Sequence, residues 1–239
     1  MNSRPTKKKS TPKVRLSDSE LNQALQMFPA SKDIQKGIKA IAIKDADFAA
    51  IEKLAGKLQV FDWPADFESL ARIIVGQQLS TLAALSIWNK VKETVSVTPQ
   101  AIAKAKVEKL ASCGLSKAKI ISLKALSDEI LSGRLDLEAL HALDDEQAIE
   151  ALIKVKGIGP WTANIYLLFG LKRLDCLPAN DLALLLGYQA LKGLEKAPTS
   201  KELIVLCDQL KPHRGVAALL LWQYYRHIKA KPSKQSRSK

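Results

Sequence analysis

The chain has 239 residues, of which 47% are hydrophobic and 26% charged, with three cysteines and a formal net charge of +13 at pH 7. This length suits one large domain or two small ones, and either can bury a sizeable core. The sequence contains no apolar run of transmembrane length, no N-terminal signal region and no CxxC spacing, which argues against a membrane protein and against a secreted disulfide scaffold. We therefore expect a soluble intracellular protein with reduced cysteines.

The positive charge is concentrated at the two ends of the chain. Residues 1–15 and 226–239 each contain six basic and no acidic side chains, so only +1 of the +13 belongs to residues 16–225. Both ends are rich in Lys, Ser and Pro, a composition typical of disorder. We predict basic tails at 1–15 and 231–239 around a helical domain of residues 16–230. The tails either attract phosphate non-specifically or only keep the protein soluble, and charge alone does not decide between these roles.

Apolar residues recur at helical spacing along almost the whole chain, which predicts an all-α fold. The first helix is expected to begin at a capping box formed by Ser17 and Glu20 and to run toward Met27. No alternation typical of a strand is convincing, and only the run 203–207 is ambiguous. Further helices are predicted over 67–75, 81–91, 160–169, 181–191, 199–210 and 213–229, and helix starts at Thr98, Ser116 and Asp144.

One short turn between two of these helices carries most of the functional signal. Gly157-Ile158-Gly159 closes the turn, and Pro160 suits a first helical position because its missing N–H is no loss there. The glycines let the backbone approach another surface, and the free amides of the next helix carry the positive end of its dipole. These features predict a helix-hairpin-helix in which Gly157 and Gly159 contact a DNA phosphate. Asp181 follows Gly157 by 24 residues and begins another helical segment.

The hairpin and Asp181 together resemble the helix-hairpin-helix (HhH-GPD) superfamily of DNA glycosylases, in particular its alkylpurine type. The resemblance covers about residues 60–230. It implies two helical lobes that flank a cleft, one from 16–60 with the C-terminal helices and the other from about 68–175. It also implies a monomer whose partner is double-stranded DNA containing alkylated bases, located in the cytoplasm and nucleoid of a bacterium or in the nucleus of a eukaryote.

The resemblance implies that Asp181 is the catalytic residue. Departure of a base builds positive charge on the deoxyribose, and a carboxylate beside the sugar stabilises that charge and orients a water. The alternative interpretation is a helix cap, because an acid is favoured in the first turn of a helix. Asn180 stands where many relatives have a second acid, which argues against a mechanism with two carboxylates.

Trp161 and Trp222 are expected to form the base pocket. Superfamily members that also cut the DNA strand have a Lys at the position of Trp161, so the resemblance implies a glycosylase without lyase activity. An indole face attracts the positive charge of an N3- or N7-methylated purine by about 0.5–2 kcal/mol. The alternative for both tryptophans is a place in the helix core, and Trp63, Tyr224 and Tyr225 are further candidates that the sequence does not rank.

Four more side chains are expected to contact DNA. Gln78, with Leu79 beside it, matches the residue that the family inserts into the gap left by a flipped base. The alternative is ordinary turn polarity with Ser80 as an N-cap. Lys119 lies in a segment that resembles the part of the family that approaches the DNA strand near the hairpin. Arg214 either packs near the catalytic loop or meets a phosphate.

No organic cofactor is implied. The resemblance implies a monovalent cation, Na⁺ or K⁺, held by the backbone carbonyls of Ile153, Val155 and Ile158 and bridging to a DNA phosphate. The three cysteines and three histidines are scattered along the chain. We therefore expect neither an iron–sulfur cluster nor a zinc site.

The predicted function is that of a monofunctional DNA glycosylase in base excision repair, of the DNA-3-methyladenine glycosylase II type. It would flip 3-methyladenine or 7-methylguanine out of the duplex and hydrolyse the N-glycosidic bond. One alternative is a glycosylase of the same superfamily for another lesion or a mismatched base. The other is a non-catalytic helix-hairpin-helix module, against which Asp181 and the two tryptophans argue, because holding the DNA backbone requires neither.

Overall fold

The computed structural model describes Gln23 and residues 25–230. The predicted tails, 1–15 and 231–239, and the capping box of Ser17 and Glu20 lie outside the described residues, so the domain limits of 16 and 230 stay predictions. Within the described part, no helix is both long and apolar enough to cross a membrane. The α-helices described are α1 (Lys32–Lys44), α2 (Ala46–Ala55), α3 (Phe67–Gly76), α4 (Thr81–Thr94), α5 (Pro99–Lys104), α6 (Val107–Ser112), α7 (Lys117–Leu131), α8 (Asp145–Ile153), α9 (Pro160–Phe169), α10 (Leu182–Lys192), α11 (Ser200–Leu206) and α12 (Arg214–Ala230), with 3-10 turns at Ala139–Ala142 and Asp208–Leu210.

Local sequence explains where several helices begin. Thr98, Ser116 and Asp144 each accept a hydrogen bond from the backbone N–H three residues later, at 3.2, 3.4 and 2.8 Å, as predicted for N-caps. A capping box at Thr199 starts α11 in the same way. The ambiguous run 203–207 therefore belongs to this helix and its C-cap.

A small sheet is the part of the fold that the sequence did not predict. Strand β1 (Met27–Pro29) pairs antiparallel with β2 (Gln59–Phe61). Gln26 adopts a left-handed φ of 55° between the helical residues before it and β1. The prediction of a helix that runs to Met27, and of helical structure throughout 16–60, is therefore wrong at these strands. Segments of three residues are too short to show the alternation that identifies a strand.

The helices pack in two lobes. In the lobe that contains the last described helix, α12 packs against α10, α2 and α1. In the other lobe α9 packs against α8 and α3, α3 packs against α4 and α7, and α7 packs against α5. Side chains from both lobes, among them Ile41, Leu70, Leu126 and Leu220, belong to one buried apolar core. The predicted all-α fold with two lobes is confirmed, and the surface where the lobes meet is the place of the candidate site.

Candidate functional site

The hairpin lies between α8 and α9 and packs against α7. Gly157 adopts a φ of +90°, which L side chains rarely adopt, and a Cβ atom there would overlap the side chain of Ser122 on α7. Gly159 has a φ of −104°, and a Cβ atom there would meet open space. The fold therefore requires glycine at 157, whereas at 159 glycine leaves the backbone uncovered.

The start of α9 is an electropositive surface. Pro160 is the first helical residue, as predicted, and Gly159 is an N-cap without a side-chain acceptor. Within the part of the chain that the structure describes, no N-cap side chain accepts a hydrogen bond from the amide N–H groups of the first turn. Lys154, Lys156 and Gly157 are exposed beside them. Free amides at the positive end of a helix dipole, with two ammonium groups nearby, suit a phosphate anion.

Gln77 connects the hairpin to the turn that follows α3. Its Nε2 donates to the carbonyl oxygen of Gly157 at 3.0 Å and to Oγ1 of Thr162 at 2.9 Å. No role for Gln77 was predicted from the sequence. The one local indication was that two glutamines stand side by side in this turn, which the ordinary polarity of a turn does not explain well. The two hydrogen bonds place its neighbour Gln78 beside the hairpin.

Gln78 and Leu79 form the exposed end of this turn. Gln78 adopts a φ of 56°, a strained conformation for a residue with a side chain. Leu79 is 38% exposed and lines the cavity between the lobes. Ser80 is the N-cap of α4, so the turn interpretation holds for that residue. An exposed polar side chain next to an apolar one suits entry into a base stack, and insertion of Gln78 into DNA stays a prediction.

Asp181 lies between the two predicted pocket tryptophans, which both donate to its carboxylate. Trp161 Nε1 donates to Oδ2 at 2.8 Å, and Trp222 Nε1 donates to Oδ1 at 3.1 Å. Oδ1 also accepts hydrogen bonds from the backbone N–H groups of Ala183 at 2.8 Å and Leu184 at 3.1 Å, as the N-cap of α10. The structure thus brings the three predicted residues together and gives Asp181 the capping role as well.

The four donors are unevenly divided between the two oxygens of Asp181. Oδ1 accepts three hydrogen bonds, which fix the position of the carboxylate, whereas Oδ2 accepts one. Asp181 is partly exposed and lines the cavity, so Oδ2 has the capacity to accept a further hydrogen bond from a water. A carboxylate held in this way can stabilise a cationic sugar carbon and orient the water that attacks it.

A cavity of about 500 Å³ opens beside Asp181, between the lobes. Trp161 and Ile165 line it from α9, and Leu219 and Trp222 line it from α12. This volume is within the range of pockets that enclose small molecules. Of the candidates that the sequence did not rank, Trp63 and Tyr225 line the cavity.

An aromatic row forms one wall of the cavity. Trp222 stacks on Phe169 with ring centroids 6.0 Å apart, and Phe169 contacts Trp63 at 5.2 Å. Trp63 stacks in turn on Phe61 at 4.6 Å. Phe61 and Phe169 were not predicted, because their roles depend on strand β2 and on the contact between lobes. The ring planes of Trp63 and Phe169 are inclined by 49°, so the wall offers a purine both ring faces and ring edges.

Arg214 takes the first of the two roles left open by the sequence, packing near the catalytic loop. Its guanidinium binds Asp175 at both oxygens, from Nε to Oδ1 at 3.1 Å and from Nη2 to Oδ2 at 2.7 Å. The hydrogen bond with Asp175 raises the pKa of Arg214. Asp175 lies on the loop that leads to Asp181, so the pair ties the start of α12 to that loop. A contact of Arg214 with phosphate stays a prediction.

Lys119 also has a partner within the protein. Its Nζ donates to the carbonyl oxygen of Val75 at 2.7 Å, near the C-terminal end of α3. Burial lowers the pKa of this ammonium group. The contact links α7 to the helix that precedes the Gln78 turn. The predicted contact of Lys119 with DNA therefore stays a prediction, and the structure gives this residue a packing role.

The three carbonyls predicted to bind a cation all belong to the hairpin. Ile153 ends α8, and the carbonyl oxygen of Val155 accepts a hydrogen bond from the N–H of Ile158 at 3.0 Å. Each main-chain oxygen has two lone pairs, so Val155 retains acceptor capacity. Main-chain carbonyls are the ligands that bind K⁺ in selectivity filters, so the donor type fits a monovalent cation.

Comparison with known proteins identifies a matching family. Residues 71–213 match the model of the HhH-GPD superfamily base excision DNA repair protein. DNA-3-methyladenine glycosylase 1 of Schizosaccharomyces pombe is 36% identical over 162 residues, which cover 66% of this chain and 71% of that protein. The alkylbase DNA glycosidase-like protein mag2 of the same organism is 31% identical over 199 residues, which cover 80% of this chain and 93% of that protein.

Two solved structures share the fold. The S. pombe 3-methyladenine DNA glycosylase Mag1 in complex with abasic DNA superposes with a TM-score of 0.73 at 32% identity, over 79% of this chain and 95% of that one. A DNA-3-methyladenine glycosidase of Bacillus halodurans superposes with a TM-score of 0.67 at 33% identity, over 83% of this chain and 92% of that chain. The overall fold of this chain is thus shared with both of these solved structures.

Proposed function

The chain belongs to the HhH-GPD superfamily of base excision DNA repair proteins, and we propose that it is a DNA glycosylase that releases alkylated purines such as 3-methyladenine and 7-methylguanine. The observation that carries this proposal is the carboxylate of Asp181, bonded to the indoles of Trp161 and Trp222 at the edge of the cavity. Relatives named as DNA-3-methyladenine glycosylases support the same substrate class. A protein that only holds DNA needs the hairpin but not this arrangement.

DNA binding begins at the hairpin. The amides at the start of α9, with Lys154 and Lys156 exposed nearby, hold one phosphate of the damaged strand. The exposed side chain of Gln78 fills the gap left by the flipped nucleotide, and Gln77 fixes the distance between this residue and the hairpin. The damaged base enters the cavity, where the indole faces attract a cationic purine by about 0.5–2 kcal/mol.

Hydrolysis takes place at the sugar beside Asp181. As the C1′–N9 bond breaks, its electron pair stays with the purine and positive charge develops at C1′ and O4′, where the carboxylate stabilises it. A water held at Oδ2 adds its oxygen to C1′ and gives up a proton. A 7-methylguanine base is cationic in DNA and leaves as a neutral molecule, so it does not have to be protonated. The products are the free base, an abasic site and one proton.

We propose that the enzyme does not cut the strand. A lyase of this superfamily needs an amine that attacks C1′, and Trp161 occupies the position of that amine. We also propose that Na⁺ or K⁺ binds at the carbonyls of Ile153, Val155 and Ile158, where it would add positive charge beside a DNA phosphate. Finally, we propose that the protein acts as a monomer, in the nucleoid of a bacterium or in the nucleus of a eukaryote.

Base release from purified duplexes tests this function. The protein is incubated with DNA methylated by dimethyl sulfate, and the free bases are identified by chromatography and mass spectrometry. We expect 3-methyladenine and 7-methylguanine, with strand breaks only after alkali and no protein–DNA adduct after borohydride reduction. Binding without release would identify a non-catalytic module. A trapped adduct would show that another amine acts and would remove the monofunctional assignment.

A further inference from the structure

The base pocket already contains a positive charge that belongs to the protein. Arg72 lies on α3 and lines the cavity together with Asp181 and Trp161. The carbon Cζ of its guanidinium lies 4.9 Å from the ring centroid of Trp63 and 6.0 Å from that of Phe61. A cation at this distance interacts favourably with an aromatic face. Arg72 therefore occupies part of the wall that a cationic base would otherwise use.

Arg72 differs from two other partly buried arginines of the molecule. Arg173 binds Asp145, and Arg214 binds Asp175. Within residues 25–230, no carboxylate lies within 4.0 Å of the guanidinium nitrogens of Arg72, and no hydrogen bond from them is found. Burial lowers the pKa of Arg72, and the charge of nearby Glu68 offsets this in part. Arginine remains charged in proteins, and because the described residues supply no acceptor for this guanidinium, its N–H groups are available to a ligand.

A row of contacts leads from the catalytic carboxylate to this arginine. Asp181 binds Trp222, Trp222 stacks on Phe169, and Phe169 contacts Trp63, over which Arg72 lies. Asp181 must stand at the sugar, where the reaction takes place. A purine that extends from this sugar along the aromatic wall would present its outer edge to the guanidinium.

We propose that Arg72 is a specificity-determining residue that selects the flipped base by charge, favouring neutral purines with a hydrogen-bond acceptor on the outer edge over cationic ones. The inference rests on the proposed glycosylase function and assigns, within that same site, the residue that distinguishes a neutral purine from a cationic one. The indole faces and Arg72 then act in opposite directions on a cationic base. A neutral base lacks the cation–π attraction to the indoles, so among these charge effects only that of Arg72 remains.

The chemistry of bond cleavage explains why charge matters. When a neutral purine leaves, the electron pair of the C1′–N9 bond makes it negative until it takes up the proton released by the attacking water. The guanidinium stabilises that negative charge as it develops. When a cationic purine leaves, the same electron pair only neutralises it. Arg72 then has no negative charge to stabilise and repels the substrate before reaction.

Two lesions and two variants test the proposal. Hypoxanthine and 7-methylguanine both carry a carbonyl oxygen at position 6, but only 7-methylguanine is cationic. Single-turnover kinetics gives the ratio of saturated rate to half-saturating protein concentration for each lesion. Arg72→Met removes the charge and keeps an unbranched apolar chain, and Arg72→Lys keeps the charge. The preference is the hypoxanthine value divided by the 7-methylguanine value, and it does not depend on the fraction of active protein.

We expect Arg72→Met to lower this preference by about tenfold or more, as the loss of a charge in a desolvated pocket implies, and Arg72→Lys to retain most of it. An equal loss on both lesions in Arg72→Met would show a purely structural role and would overturn the inference. Release of 7-methylguanine but not hypoxanthine by the unaltered protein would also overturn it, while leaving the proposed function in place. If the unaltered protein released neither of these lesions and no other methylated purine, the proposed function itself would be contradicted.

Discussion

The hairpin presents main-chain groups, whereas the base pocket is built from side chains. At the hairpin, Gly157 and Gly159 offer backbone groups, and their value lies in the absence of a side chain. At the pocket, Asp181, Trp161 and Trp222 act through individual side-chain atoms joined by hydrogen bonds. One region therefore depends on what can approach the main chain, and the other depends on the identity of a few polar atoms.

This difference separates DNA binding from chemistry. Changes at the hairpin should alter folding or affinity for DNA, because phosphate contacts are made by amides. Changes at the pocket should alter the rate after binding, because the carboxylate of Asp181 acts on the flipped nucleotide and the two indole N–H groups hold that carboxylate in place. Each variant is therefore best measured in parallel for stability, DNA affinity and single-turnover rate.

The largest effect on binding is expected from Gly157→Ala. The left-handed φ and the overlap of the new methyl group with Ser122 should lower the free energy of unfolding by about 2–4 kcal/mol and displace the hairpin. Gly159→Ala is the matched control, because its methyl group meets open space and should change stability by no more than about 1 kcal/mol. Urea unfolding and anisotropy with an abasic duplex measure both. Equal stability of the two variants would contradict this account of the turn.

The next effect is expected from removing one indole N–H at a time. Trp161→Phe and Trp222→Phe keep an aromatic ring but lose a hydrogen bond to a charged group, so each should lower the saturated rate roughly 10- to 100-fold. Affinity for an abasic duplex should stay within about threefold, because the hairpin is unchanged. Tyr224→Phe, on the same helix as Trp222, is the control. If affinity for DNA fell by the same factor as the rate, the pocket would also contribute to DNA binding, and the separation of binding from chemistry would be contradicted.

A smaller effect is expected from the ion pair between Arg214 and Asp175. Arg214→Met and Asp175→Asn should each lower the free energy of unfolding by about 1–3 kcal/mol, and the rate by less than either tryptophan variant, because the pair holds the loop before Asp181 and neither side chain lines the cavity. A double-mutant cycle should give a coupling energy of about 1 kcal/mol or more. Additive effects of the two changes would show that the pair does not act as a unit.

The smallest effect on chemistry is expected from the basic tails. A shortened chain of residues 16–232 lacks nine basic side chains that lie outside the described residues. Its non-specific DNA binding should weaken at low salt, and the slope of affinity against salt concentration should decrease. The saturated excision rate should not change. A large loss of that rate in a chain with intact circular dichroism would assign a tail to base flipping or to closure of the site.

The parts that could be predicted from the sequence are those encoded locally. The hairpin, its Pro160 start and the caps at Thr98, Ser116 and Asp144 each depend on residues within one turn of one another. The helical periodicity likewise predicted the all-α fold. Asp181 was singled out by its distance from Gly157 and by a family resemblance, because a first-turn acid alone has an ordinary capping role.

The parts that could not be predicted depend on contacts between distant segments. Gln77 meets Gly157 across 80 positions, and Lys119 meets Val75 across 44. The position of Arg72 in the cavity wall depends on its contact with Trp63 and on the second lobe, and the sequence around Arg72 indicates neither. Such contacts follow from packing, and no local pattern in the chain identifies the partner.

Asp181→Asn tests the division between chemistry and binding most directly. Asparagine is as good an N-cap as aspartate, so α10 should form normally. The substitution removes the negative charge and places an amide donor opposite at least one indole N–H. The single-turnover rate on a duplex with one 7-methylguanine and the dissociation constant for an abasic duplex are measured side by side. We expect the rate to fall by a factor of about 100 or more while the dissociation constant stays within about threefold. A rate within a few-fold of the unaltered protein would remove Asp181 from the mechanism and contradict the account.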